Sequence, residues 1–435
     1  MQSLLQSYKA QSIILLFIWL VSMVLSAEFV LSVSMIGLLL LAFFELRIEG
    51  PKVSLHLRGT LLQNFRKYWH YKAWLAVSAP FLLVLVSWLW SSDLTYTLER
   101  LRIKLPFLVL PFAFASMPAL RKREIYTILY FLLIVMSVIS LYVLLQFAAN
   151  FETVMDELGR GGHLPTPSNH IRFSLVLALS IIGGLALFLE GFHFARPSER
   201  WLTGSLTLFL FVFIHVLSVR SGIASLYAAL LVMGVFFVFV KKRYALGLLG
   251  ITSVVLLPVL AYHLLPSFKL KVDYARWDYL QFEQGIGENY PDSERLNSMR
   301  VGLEIAKTRP LFGVGAGDLR SEVKKMYEEG RAGGYDFKMP HNQFVSVLAG
   351  TGAVGLALFL AGFFFPLFYR KNYLNPLLLA LHAVVFMSFF VENTIENNFG
   401  VSLFLFFLLI GLNYQASAGW DESEDVKVRV PFLRR

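Results

Sequence analysis

Long apolar runs separated by short polar loops make up most of the chain, and their lengths cluster near the ~20 residues that cross a bilayer as an α-helix. Backbone polar groups in lipid must be satisfied within their own segment, so runs of this length predict helical spans and not buried strands. They fall near 10–27, 29–46, 73–91, 103–119, 125–148, 171–190, 203–219, 223–240, 244–262, 341–368, 374–390 and 399–415. The expected fold is therefore all-α and polytopic, with about twelve spans, of which the fourth is interrupted by prolines. One polar segment, 263–340, is much longer than the other loops, and a connection of that length is expected to have structure of its own. The chain divides into a bundle at 1–262 (spans one to nine), the large loop at 263–340, three closing spans at 341–415 and a tail at 416–435.

Lysine and arginine set the orientation. With the N-terminus inside, the cytoplasmic loops hold Arg47, Lys52, Arg58, Arg66, Lys67 and Lys72, then Arg121 to Arg123, Arg196 and Arg200, Lys241 to Arg243, and Arg370 with Lys371. The tail adds Lys427, Arg429, Arg434 and Arg435. Both termini are then cytoplasmic and the large loop lies outside. The first span starts weakly basic, lacks a small-residue cleavage site and is expected to be a retained helix. Residues 51–72 mix basic and aromatic side chains and read either as a helix on the inner membrane surface or as a plain positive-inside loop.

Composition agrees with this picture: 57% of residues are hydrophobic, 16% charged, and mean hydropathy is +0.62. The net charge of +10 is mostly accounted for by cytoplasmic anchoring against anionic lipid, which removes it as a nucleic-acid footprint. Cysteine is absent, which excludes disulfides, thiolate chemistry and cysteine zinc sites.

The candidate chemistry gathers where the large loop meets the tenth span. Pro340 suits the start of a helix, and His341 with Asn342 then falls in the first turn, where free N–H groups favour anions. Further in, Gly352 and Gly355 let another helix or a lipid chain approach the backbone closely. His341-Asn342, nine intervening residues, Gly352 and Gly355 resemble the histidine motif of the O-antigen ligases, part of the wider ligase and polymerase superfamily acting on polyprenyl-linked glycans. The passage Arg300 to Gly317 also resembles the superfamily, in which an arginine helix and a Pro-then-Gly-rich turn precede the histidine. In that passage Ser293 is expected to cap a helix to about Lys307, with Leu296, Met299, Leu303 and Ala306 as its buried stripe. The glycines of 313–317 read as a tight turn, since no strand precedes them. Ser218-Val219-Arg220 is similar to the superfamily's Ser-x-Arg turn, and arginine at membrane depth reads as functional or as an interfacial snorkel. A stricter pattern, Arg with Leu four residues on, fails at Arg220 and fits Arg276 with Leu280.

Secondary candidates are Asn342, Arg276, His170 with Asn169 after two prolines, and Arg100, Arg102 and Lys104 before span four. Glu392 and Glu396, expected four apart on one face, either order His341 or an arginine or form a solvated helix end.

The resemblance implies a GT-C-like membrane glycosyltransferase that moves a glycan from polyprenyl (undecaprenyl) diphosphate to a sugar hydroxyl of lipid A-core, as an O-antigen ligase of lipopolysaccharide biosynthesis. Its implied place is the bacterial inner membrane, with the active site facing the periplasm. A polymerase of the same superfamily is the alternative. A glycolipid transporter is a third reading, and it predicts charges near mid-membrane that this chain lacks. Arg220 and Arg300 are expected to bind the diphosphate and His341 to act as base, acid or phosphate ligand. No cofactor is expected. No metal is expected either, because no paired external Asp motif is present and Asp273 and Asp278 stand isolated.

Overall fold

The computed structural model describes residues 7–418 except 50, 51 and 289. The basic tail residues Lys427, Arg429, Arg434 and Arg435 lie outside the described residues.

Helices follow the apolar runs closely. They are α1 (Tyr8–Val24), α2 (Glu28–Phe43), α3 (Leu61–His70), α4 (Ala73–Val77), α5 (Ala79–Ser87), α6 (Leu94–Ser116), α7 (Lys122–Ala149), α8 (Phe151–Gly159), α9 (His170–Glu190), α10 (Glu199–Leu217), α11 (Arg220–Phe239) and α12 (Tyr244–Leu264). After them come α13 (Pro266–Glu283), α14 (Pro291–Thr308), α15 (Leu319–Glu328), α16 (Gln343–Phe368), α17 (Pro376–Val391) and α18 (Asn398–Ala418). Among the described residues 7 helices are long and apolar enough to cross a membrane, and the shorter apolar helices include α1, α2 and α17.

Two stretches depart from the expected helices. Residues Phe44–Glu49 (β1) and Lys52–Leu57 (β2) pair as an antiparallel hairpin, with Phe44 opposite Leu57. The second expected span therefore ends at Phe43, and the surface helix expected over 51–72 is confined to α3. Alternation of apolar and polar residues in Lys52–Leu57 suits a strand better than a 3.6-residue repeat. Span four is the opposite case. Its helix α6 runs unbroken through Pro106 and Pro111 and starts before residue 103, because Asp93 caps it by accepting from the Tyr96 N–H at 2.9 Å.

Loops meet at two ends of the bundle. At one end Tyr71 donates to the Asn372 side-chain oxygen at 2.9 Å, Leu120 N–H donates to Asn413, and Lys122 pairs with Glu190. At the other end the start of α6 meets the large loop, Lys271 reaches Gly161, Arg220 meets Asp292, and Gln343 holds Ile395. A core of aromatic side chains, including Trp19, Phe107, Phe114, Phe173, Phe359, Phe389 and Phe406, fills the bundle between them.

The large loop carries its own small apolar core, with Val301, Ile305, Val314, Leu319, Val323 and Met326 packed on Ala349 of α16. Helix α14 is capped from outside itself. The Asp278 carboxylate, fully buried, accepts from the N–H groups of Asp292 and Ser293 at 2.9 and 3.1 Å and from the Ser293 hydroxyl at 2.5 Å. Ser293 is thus inside the first turn and not the cap. The buried stripe agrees with the expected one only in part: Ala306 is buried as expected, together with Ser293, Asn297, Ser298, Val301, Gly302 and Ile305, but Leu296 and Met299 are half-buried and Leu303 is 43% exposed. Small residues win here because α14 lies directly against the first turn of α16 and the segment before it, where a Cβ on Gly302 would come 2.5 Å from Val345 and 2.8 Å from Pro340.

Candidate active site

His341 precedes α16 and is placed from both sides. Its N–H donates to Ser298 on α14 at 3.2 Å, and the next residue, Asn342, caps α16 by accepting from the Phe344 and Val345 N–H groups at 2.9 and 3.1 Å. The Asn342 amide nitrogen donates to the Phe390 carbonyl at 3.0 Å. Asn342 is therefore occupied at both ends of its side chain, which fixes the approach to the helix. The expected start at Pro340 shifts to Gln343. Gln343 is buried and ties the segment after α17 to this junction, donating to Glu396 at 2.8 Å and accepting from the Ile395 N–H at 3.1 Å.

The imidazole of His341 is neutral at pH 7. Burial lowers its pKa to about 4, assisted by the positive charges of Arg295 and Lys338. Its Nδ1 is buried without a partner among the described residues.

A cluster of cations stands beside it. Arg220, the first residue of α11, donates to the Asp292 carboxylate at 2.6 Å, and Arg295 reaches the same oxygen at 3.4 Å. One carboxylate on α14 thereby gathers an arginine from each of two elements. Lys271 on α13 donates to the Gly161 carbonyl at 2.9 Å, and burial together with Arg220 and Arg295 lowers its pKa to about 8. His170 stacks on His163 with centroids 3.6 Å apart, and both rings feel Lys271 and Arg295. Two cations on α11 and α14 sharing one carboxylate leave donors free to grip a phosphate, and guanidinium forks suit its oxygens.

Arg300 is elsewhere. It is exposed, and its guanidinium lies 3.5 Å from the Arg331 carbonyl. Five residues turn a helix by about 500°, so Arg295 and Arg300 face different sides of α14. Arg276 and Arg102 are likewise exposed, the former near Tyr262. Sequence reasoning missed Arg295, Lys271 and Lys338; the available signal was the i,i+3 pairing of Asp292 with Arg295 on one helix face. Glu392 and Glu396 do not share a helix face, because α17 stops at Val391 with Glu392 extended and only a 3₁₀ turn follows. Glu396 binds Lys104 at 2.6 Å and approaches Arg100 at 3.9 Å. Burial opposes its ionisation, but Lys104, Gln343 and Arg100 together hold its carboxyl below the ordinary range.

The glycine-rich turn acts on α16 itself. Gly352 has φ 70° and ψ −173°, a conformation open only to glycine, and it breaks the helix. The freed backbone is met by the turn: Val314 N–H donates to Ala349, Gly315 N–H to Gly350, Ala353 N–H to Pro310 and Val354 N–H to Leu311, at 2.8–3.2 Å. A Cβ at Gly352 would lie 2.2 Å from Leu311, and one at Gly313 would lie 2.5 Å from Gly350. The close neighbour of Gly352 is therefore this loop, in place of the lipid groove or second helix expected there. Asp318, just beyond, accepts from the Ser92 and Asp93 N–H groups at 2.9 and 2.7 Å and ties the turn to α6.

Fold and site together define a polytopic α-helical membrane protein with a cation cluster set against a neutral histidine. Residues 204–360 match the family described as O-antigen ligase. Arg220, Lys271, Arg295 and His341 all lie within the matched region. No curated protein matches the chain significantly.

Proposed function

We propose that the protein is an O-antigen ligase, transferring a glycan from undecaprenyl diphosphate to a sugar hydroxyl of lipid A-core on the periplasmic face of the inner membrane. The observation that carries this reading is the meeting of Arg220, Arg295 and Lys271 beside a neutral His341 inside the matched region. Arg220 and Arg295 grip the diphosphate and Lys271 adds charge, so Arg295 takes the role first given to Arg300. His341 works as the base: with a pKa of about 4 its imidazolium is scarce at neutral pH, which disfavours the acid role. The acceptor oxygen attacks the anomeric carbon, the carbon–oxygen bond to the diphosphate breaks with its electron pair leaving on phosphate, and the hydroxyl proton passes to His341. Attack opposite the leaving group inverts the anomeric centre. The cations neutralise the diphosphate, so no metal is required.

Glycolipids from cells with and without the gene test the assignment. Loss of capped lipid A with carrier-linked polymer retained is the ligase result; carrier-linked single repeats without polymer would instead identify a polymerase.

A further inference from the structure

Beside the cation cluster lies a separate cavity of about 260 Å³, between α5, α6, the start of α9, α16 and the segment after α17. Its walls combine apolar side chains of α5 and α16, such as Val84 and Phe359, with five charged groups. Three of these are committed: Lys104 and Arg100 face Glu396, and Arg100 also holds Glu99 at 2.6 Å. The other two, Arg172 and Glu392, are not, although the Arg172 guanidinium lies over the Phe399 ring at 5.7 Å. Among the described residues neither has an ion pair within 4 Å, and Nε of Arg172 is buried with no acceptor, as is Nε of Arg100. Burial pushes the Glu392 carboxyl up, even though Arg172 and Arg295 both act to lower it. A buried guanidinium N–H without an acceptor is costly, and the half-buried Glu392 carboxyl faces the cavity with no side-chain hydrogen bond among the described residues. A ligand that offers an anionic oxygen to Arg172 and a hydroxyl to Glu392 satisfies both. The cavity lies just below the ~300 Å³ at which pockets for drug-sized molecules begin, which leaves room for a single sugar ring.

We propose that this chamber is the acceptor subsite and that it takes one sugar residue carrying a phosphate or carboxylate, with Arg172 on the anion and Glu392 on a ring hydroxyl. The inference rests on the transferase reading above and names residues it did not use. The placement suits delivery of a hydroxyl to His341: Met339 and Ser346, on either side of it in the chain, line the chamber, and Glu392 feels Arg295 of the donor cluster as well as Arg172.

Binding of glucose 1-phosphate and of glucose to the full-length protein in nanodiscs tests it. Glucose 1-phosphate should bind at least about tenfold more tightly, the usual scale of one charge-assisted pair. Arg172→Ala should abolish the difference. Arg172→Lys, which keeps the charge and guards against misfolding, should retain part of it, and Glu392→Gln should weaken both probes. In turnover, Arg172→Lys and Glu392→Gln should raise the KM for acceptor and leave that for donor unchanged, which a merely structural role would not do. Equal binding of the two sugars, or binding indifferent to both variants, overturns the proposal. So does displacement of glucose 1-phosphate by inorganic pyrophosphate in an Arg295→Ala background, since the chamber would then be a diphosphate site. If the probes behave as expected but no glycan is transferred, it is the transferase reading that fails.

Discussion

His341 and Lys271 are two site residues whose protonation is shifted by burial and by neighbouring charges, and each gives a pH signature. Lys271 loses its proton as pH rises through about 8 in the free protein, whereas an undisturbed lysine keeps it to 10.5. A bound diphosphate restores the charge, so donor affinity should fall as pH rises above about 8, and Lys271→Arg should flatten that fall. Titrating polyprenyl diphosphate binding in nanodiscs from pH 7 to 10 reads this directly. For His341 the sign concerns stability. Its folded pKa of about 4 lies below the ordinary 6.5, so the unfolded chain binds the extra proton in that window. Its contribution is full above about pH 6.5 and is lost as pH falls toward 4; thermal midpoints over that range should drop more for the wild type than for His341→Gln. His341 and Arg220 were legible in the sequence because motif, helix start and topology coincide on them. Arg295 was not, since the pairing that brings it to Arg220 runs through Asp292 and becomes visible only once α11 and α14 are in contact.

At the scale of elements, the helix that follows the histidine is broken at Gly352, where the glycine-rich turn of the preceding loop packs against it. Its apolar run reads as one span, and nothing in a run of apolar residues announces that Gly352 leaves the helical region or that the turn at 310–315 fills the gap. The two glycine patterns were legible singly, and their meeting was not. Gly352→Ala combines a backbone conformation closed to L-residues with a clash against Leu311, and should destabilise by ~2 kcal/mol or more. Gly59→Ala, where a Cβ meets nothing within 4 Å, is the matched control. Thermal melting of both variants in detergent should show a large drop for the first and none for the second. Hairpin β1–β2 was missed for a different reason: its alternation is short and follows directly on an apolar helix.

Across the whole molecule, the apolar runs and the charge of the loops were the most legible features. Most helix ends moved by a few residues, while the fourth run starts at Leu94 and the third is split into α4 and α5; the loops that touch are those expected on the same side. From the distribution of lysine and arginine we propose that Lys241 to Arg243 lie inside and Gly330 outside. As cysteine is absent, single cysteines at Gly330 and Lys242 in spheroplasts should react oppositely with an impermeant maleimide; labelling at Lys242 alone would reverse the orientation.

The central claim is a division of labour in which the histidine moves a proton and the arginines hold the diphosphate. Donor affinity and single-turnover rate, measured together on purified variants whose melting is normal, test it most directly. His341→Ala should bind the polyprenyl-diphosphate donor nearly as the wild type does and turn over roughly 10²–10⁴-fold more slowly. Arg220→Ala and Arg295→Ala should lose both affinity and rate, with lysine restoring only part because it cannot fork. Abolished donor binding in His341→Ala, with both arginine variants binding and turning over normally, would contradict the account.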